Sequence, residues 1–279
     1  MVDIKKAMYC LYLLIFLICA GILIKFFIID PYFLNKSNNQ VKNVYHDEIK
    51  TEEDKFKYLL SINSDVKAWI FISNTAIDYP VLYSADKSEF YLNHNYKKQK
   101  SRYGSIFIDP ICENTINAKN IILHGHHMKD GRMFTDLMKF SDVDFYKQNP
   151  IIEFDTPKEE ASWKIVSIFK TNTLAEQGKI FNYLISEFDT NAKFLEFARE
   201  IKVRSLIDIP VDIDKNDRLL TLSTCSYEFP EFRTVVVARK VRKNESRVID
   251  GIENVKKASN PLMPECWYKR YGGSPPSIS

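Results

Sequence analysis

RLLTLSTCSYEFPEFRTVVVARKV, residues 218–241, decides how this chain is read. Two runs dominated by β-branched and other apolar residues, RLLTLST and RTVVVARKV, flank a short polar and aromatic segment, SYEFPEF. Such runs suit a pleated, buried sheet, and the segment between them reads as the turn of an antiparallel hairpin. The first run ends in Cys225 and the second opens with Arg233, so the hairpin puts a thiol and a guanidinium at the same end, within side-chain reach.

Six further runs share this character: AWIFI (68–72), IDYPVLY (77–83), GSIFID (104–109), NIILHG (120–125), IIEFD (151–155) and WKIVSIF (163–169). Eight short strands separated by polar or turn-forming segments predict one mainly β domain, a barrel or a sandwich. Helices are expected over about 52–62, where Phe56, Leu59 and Leu60 form an apolar stripe behind Thr51, over 133–140, and over 181–201. In the last of these, Asp189 and Thr190 offer a cap midway, which reads as two helices. The tail GGSPPSIS (272–279) predicts disorder.

The composition sets limits. Of 279 residues, 45% are apolar, enough for a sizeable core, and the formal charge is only +3. With no lysine- and arginine-rich block among aromatics, nucleic acid is not an expected partner. The N-terminus departs from this soluble pattern. From Ala7 to Ile29 the only charge is Lys25, near one end, where it can reach the interface. As a helix this stretch spans about 34 Å, against a bilayer core of about 30 Å. A cleaved signal peptide would have a shorter apolar region and an A-x-A-like end, which is not found. The span therefore reads as an uncleaved anchor with its short head in the cytoplasm. Residues 30–50, polar throughout, read as a tether.

Five cysteines are too few for a disulfide framework: Cys10 and Cys19 in the span, then Cys112, Cys225 and Cys266. A Cys112–Cys266 pair is conceivable but has no support in the spacing. Of the five histidines (His46, His94, His124, His126 and His127), three crowd into ILHGHHMKDG, a strand end opening into a loop. That is where scaffolds display reactive groups, although a plain polar loop has the same look. H-x-H also suits a metal, but Met128 and Lys129 occupy positions where a fuller ligand motif needs Asp and His, and no structural zinc spacing appears. Cysteine, histidine and arginine together supply what acyl transfer through a thiol requires. An imidazole deprotonates the sulfur and reprotonates a leaving amine, while a guanidinium, never a base, hydrogen-bonds the developing oxyanion.

These residues resemble the sortase family, class B. The resemblance rests on T-L-S-T-C at 221–225, Arg233 after it, NIILHGH at 120–126, HHMKDGRMF at 126–134, YPVL at 79–82 and Y-G-S-I-F-I-D at 103–109. It covers roughly 45–243. It implies a closed eight-stranded β-barrel with N-terminal helices, a helical insertion before the cysteine strand, and a transmembrane anchor. The implied layout is a cytoplasmic head at 1–6, an anchor at 7–29, a linker at 30–50, a catalytic domain at 51–243 and an extension at 244–279, which the family does not explain.

The resemblance further implies a cysteine transpeptidase without metal or cofactor. Cys225 would be the nucleophile, His126 the catalytic histidine, Arg233 the carbonyl-polarising group, Ser223 a substrate contact and Leu92 an apolar wall of the groove. The substrates would be secreted proteins bearing a C-terminal sorting signal such as N-P-x-T-[GN], passed through a thioacyl intermediate to an amine of a cell-wall precursor. Two alternatives stay open. One is a thiol peptidase hydrolysing the same bond, and the other is a tethered β-domain that binds peptides without turnover. An L,D-transpeptidase is disfavoured because Ser223-Thr224-Cys225 lacks the glycine of S-x-G-C.

Overall fold

The computed structural model describes residues 4–47, 51–86 and 89–276. The chain divides into two compact units, Met1–Thr51 and Glu52–Ser279. In the first, α1 (Ile4–Ile24) passes through a π-helical turn (Lys25–Ile29) into α2 (Asp30–Tyr45). None of the α1 residues is buried. The polar segment expected as a tether is thus helical as far as Tyr45. Pro31 falls in the first turn of α2, directly after the π-helical turn, and no glycine or second proline follows to interrupt the ladder. Residues 48–50 of that segment, and 1–3 of the expected head, lie outside the described residues.

The second unit opens with α3 (Glu52–Ile62) and is built on a closed barrel. Its strands are β1 (Val66–Phe71), β2 (Asp78–Leu82), β3 (Ile106–Ile108), β4 (Asn120–His124), β5 (Ile151–Asp155), β6 (Ser162–Thr171), β8 (Leu219–Ser226) and β9 (Phe232–Lys240). Around the barrel the order is β1-β2-β3-β4-β8-β9-β6-β5, with β5 closing back on β1. All eight expected runs therefore find a place. Closure removes the unpaired edges that an open sheet of this size would expose. Trp69, Ile70, Ile122, Val166, Leu222 and Val236 are fully buried.

Two strand pairs, β2–β3 and β4–β8, are parallel and so require crossovers. The β4–β8 crossover carries a 3-10 turn (Thr135–Ser141), the short helix α4 (Val143–Gln148), β5, β6 and the helical insertion. Only part of that insertion is helical. α5 runs from Asn191 to Val203, capped by the Thr190 hydroxyl accepting from the Lys193 N–H. Residues 181–188, expected as helix, instead form an irregular extended segment. Its backbone is engaged elsewhere: the Asn120 N–H and side-chain amide donate to the carbonyls of Ser186 and Ile185, and the Ser186 hydroxyl donates to the Ile111 carbonyl. Phe181 and Phe188 pack on Phe197 at 5.9 and 5.3 Å, so burying these rings outweighs local helical periodicity.

Beyond β9 the extension folds back. β10 (Lys256–Lys257) pairs with β7 (Ile207–Asp208), and α6 (Glu265–Tyr271) follows. Cys112 and Cys266 are both free thiols. Residues 272–276 have no regular structure, and 277–279 of the tail lie outside the described residues.

Candidate active site

The β8–β9 ladder sets the site. Its antiparallel register pairs Cys225 directly with Arg233, one pair before Ser226–Phe232 ends the ladder at the loop Tyr227–Glu231. Directly opposed residues project on the same face with Cβ atoms about 5 Å apart, so the thiol and the guanidinium share one patch. Both residues are half-buried. Burial alone would lower the Arg233 pKa. The Glu231 carboxylate at 2.9 Å and the neighbouring Cys225 sulfur more than offset this, holding Arg233 above its ordinary value.

β4 brings the histidines from the other side. It runs parallel to β8 with His124 paired to Ser223, so His126 and Cys225 each lie two residues beyond a matched pair. The loop is fastened to β8 past the end of β4. The Gly125 N–H donates to the Ser223 carbonyl at 3.3 Å, and the Thr224 hydroxyl donates to the Gly125 carbonyl at 2.8 Å. Only glycine fits there, because a Cβ at position 125 would meet Ile106 Cδ1 at 2.5 Å and Phe134 at 2.7 Å. The loop then folds back so that the Phe134 N–H donates to the His126 carbonyl.

Each histidine of the cluster has a different partner. His124 Nε2 lies 2.7 Å from Asp109, a carboxyl that burial would raise but that the bonds from His124 and the Ile111 N–H bring below its ordinary value. His127 Nδ1 donates to the Cys225 carbonyl at 3.0 Å, and its ring lies 4.7 Å from that of Tyr227. His126 Nε2 contacts the Leu92 carbonyl at 2.7 Å. A carbonyl can only accept, so Nε2 of His126 carries the proton and Nδ1 is the nitrogen able to take another.

Ser223 is buried and meets the Tyr183 hydroxyl at 2.9 Å. Burial pushes the Tyr183 pKa up, so the phenol stays neutral and available as a donor. Leu92 closes a short 3-10 turn (Phe90–Leu92), half-buried, and its contribution here is a carbonyl to His126. The register thus brings Cys225, Arg233 and Ser223 onto one hairpin face, with the His126 loop fastened beside it. Sequence reasoning missed Tyr183, whose segment reads as helix, and it gave His127 no role although the residue stood in the cluster. Among the described residues no group of three or more His, Cys, Asp or Glu is placed to hold a metal ion.

Known proteins resemble this chain in sequence and fold. A model of the sortase domain family matches residues 70–241. Sortase B of Listeria monocytogenes is 36% identical over 192 residues, 68% of this chain and 75% of the relative. The chain belongs to the sortase family, class B. Sortase B of Staphylococcus aureus is 35% identical over 190 residues, again covering 75% of the relative. Among solved structures, a Staphylococcus aureus sortase B–substrate complex superposes with a TM-score of 0.66 at 32% identity. The match covers 75% of this chain and 94% of that one. A Bacillus anthracis (B. anthracis) sortase B bound to AAEK1 gives 0.67 at 31% identity, covering 77% and 99%. Sortases of this class are transpeptidases, and this chain shares their closed eight-stranded barrel. The extension after 241 lies beyond the family match.

Proposed function

We propose that this sortase is a membrane-anchored cysteine transpeptidase in which Cys225, His126 and Arg233 carry the chemistry. The observation that supports it best is the cross-strand pairing of Cys225 with Arg233. Nδ1 of His126 takes the thiol proton. The Cys225 sulfur attacks the carbonyl after the threonine of an N-P-x-T-[GN]-like signal, while Arg233 hydrogen-bonds the oxygen on which negative charge develops. The C–N bond breaks, the leaving amine receives the proton from the imidazolium, and a thioacyl enzyme remains. A primary amine of a cell-wall precursor then attacks the thioester carbon, the C–S bond breaks, and the thiol is regenerated. Arg233 is free to serve because Glu231, its carboxylate partner, is exposed and easily exchanged for substrate.

Ser223 and Leu92 are assigned to the sorting-signal groove, with Tyr183 orienting the serine hydroxyl. The helix from Ile4, whose most apolar 18-residue stretch has a mean hydropathy of 2.7, is assigned as a single-pass anchor with a cytoplasmic N-terminus. Tethering raises the local concentration of an enzyme whose substrates and lipid-linked acceptors share its membrane. Secreted signal-bearing proteins and the precursor amine are its partners.

The test is cleavage of a fluorogenic sorting-signal peptide by the full chain in detergent, with and without an amine acceptor. Wild type should release the C-terminal fragment, and the acceptor should divert product from acid to amide. Cys225→Ala and His126→Ala should each lose at least about a hundredfold. Turnover that survives in Cys225→Ala would rule out the assignment, and an acid product at every acceptor concentration would favour a peptidase.

A further inference from the structure

Helix α6 lies outside the family match, yet it packs on the loop that joins Cys225 to Arg233. The ladder pair next to Cys225–Arg233 is Ser226–Phe232, and Phe232 is fully buried. The Trp267 ring of α6 lies nearly parallel to that of Phe232, 6.4 Å away at 14°. Phe229, in the middle of the loop, packs on Trp267 at 6.4 Å and on Tyr271 at 6.1 Å, with the Arg270 guanidinium over its ring.

The backbone of the loop is fastened as well. Arg270 Nη1 donates to the Glu228 carbonyl at 2.7 Å, Gln177 Nε2 to the Pro230 carbonyl at 2.8 Å, and the Thr173 hydroxyl to the Glu231 carbonyl at 2.7 Å. Two of these three ties lead to α6. Arg270 belongs to it, and Gln177 is followed by Gly178, which has φ +120° and lies so close that a Cβ would meet Glu265 Cβ, in the first turn of α6, at 2.7 Å. The backbone supplies a reason for so much fastening. Glu231 sits at φ +53°, a left-handed conformation that a residue with a side chain keeps only where its surroundings hold it. Arg233 follows two residues later, so a loop that relaxed there would re-aim the guanidinium.

We propose that α6 braces the nucleophile hairpin, with Trp267 and Arg270 as positioning residues that hold Arg233 opposite Cys225. Both act through the loop rather than on substrate. The inference rests on the transpeptidase reading and gives the C-terminal extension a part in that reaction. Arg233 serves charge that develops only in the transition state, so a loosened brace should cost rate and not ground-state binding of the peptide.

The experiment measures single-turnover thioacyl formation on a sorting-signal peptide by the full chain in detergent, read by intact mass. Trp267→Ala should lower the maximal rate at least about tenfold, while the peptide concentration for half-maximal rate stays within about twofold. Trp267→Phe, which keeps an aromatic face toward Phe232, should recover most of the rate. In an Arg233→Ala background the same Trp267→Ala change should cost less than about twofold, because the group it positions is gone. An equal fold loss in the two backgrounds overturns the proposal, since α6 would then support the barrel and not the guanidinium. Arg270→Ala removes one hydrogen bond from an exposed side chain and decides the matter if Trp267→Ala does not fold. It should slow acylation about threefold or more, again only while Arg233 is present, and an unchanged rate overturns the proposal. If wild type forms no thioacyl adduct, or Arg233→Ala alone acylates at the wild-type rate, the underlying reading of the site falls and takes this proposal with it. That outcome is distinct from failure of the brace alone.

Discussion

Strand β9 carries two arginines on one face, six residues apart, and they live in opposite circumstances. Arg239, 1% exposed, is held bidentately by Glu245 at 2.7 Å on each nitrogen, and Lys164 shares that carboxylate. Arg233 keeps 22% of its side chain exposed, pairs with the exposed Glu231 and donates to the Phe232 carbonyl. A guanidinium sealed among carboxylates can bind nothing else, and removing it strands the charges around it. One with a replaceable partner, facing a cysteine across the ladder, is poised for a ligand. The same residue type, on the same strand, is thus locked in an ion cluster at one barrel end and, in the proposed reaction, chemical at the other.

The largest expected effect breaks the chemical end. Arg233→Ala should lower signal-peptide turnover by about 10²–10³-fold, the range for losing one oxyanion donor, while the thermal midpoint moves little. Arg239→Ala should do the reverse. Unpairing a buried ion cluster costs about 3–5 kcal/mol, read as a lower denaturant midpoint, with per-molecule turnover of the folded fraction unchanged.

Glu245 supplies a pH test of the same cluster. Its pKa is driven well below the ordinary 4.5 by the Arg239 hydrogen bond first, and by Lys164 and the Arg242 N–H, against the opposing effect of burial. A depressed carboxyl adds stability that is present above its unfolded pKa and lost as pH falls through the folded value. Stability should therefore decline below about pH 4.5, and Glu245→Gln should flatten that acid limb in pH-dependent denaturant melts. Smallest of all, Glu231→Gln should change stability by less than about 1 kcal/mol, because its pair with Arg233 is exposed.

The cysteines sharpen the contrast independently of arginine. Burial pushes the Cys112 thiol up to about 12, only partly relieved by the Ile122 N–H. Iodoacetamide at neutral pH should leave Cys112 unmodified in the folded protein while it labels half-buried Cys225, as peptide mapping would show.

Much of this was legible in the sequence because barrel strands carry their own signature. RLLTLST and RTVVVARK could be paired by eye, and the pairing alone set Cys225 against Arg233. The class of the fold followed from eight such runs and the resemblance from their motifs. What was hidden depended on contacts between distant residues. Residues 181–188 have a helix-like composition, yet Asn120 claims their carbonyls and Phe197 their rings. Residues 30–45 look like tether by polarity, yet nothing in them stops a helix. Tyr183 reaches Ser223, forty residues on, by a route no local pattern announces. Leu92 drew notice for its apolar side chain, and the contact of its backbone oxygen with His126 is a second feature that no local pattern announces.

Intact-mass and tandem spectrometry of the full chain, quenched during turnover of a sorting-signal peptide, probes the central pairing most directly. The expected species is wild-type protein carrying the acyl fragment as a thioester on Cys225, much reduced in Arg233→Ala and fully retained per folded molecule in Arg239→Ala. An adduct on any other residue, or equal loss in the two arginine variants, would contradict the division of labour along β9.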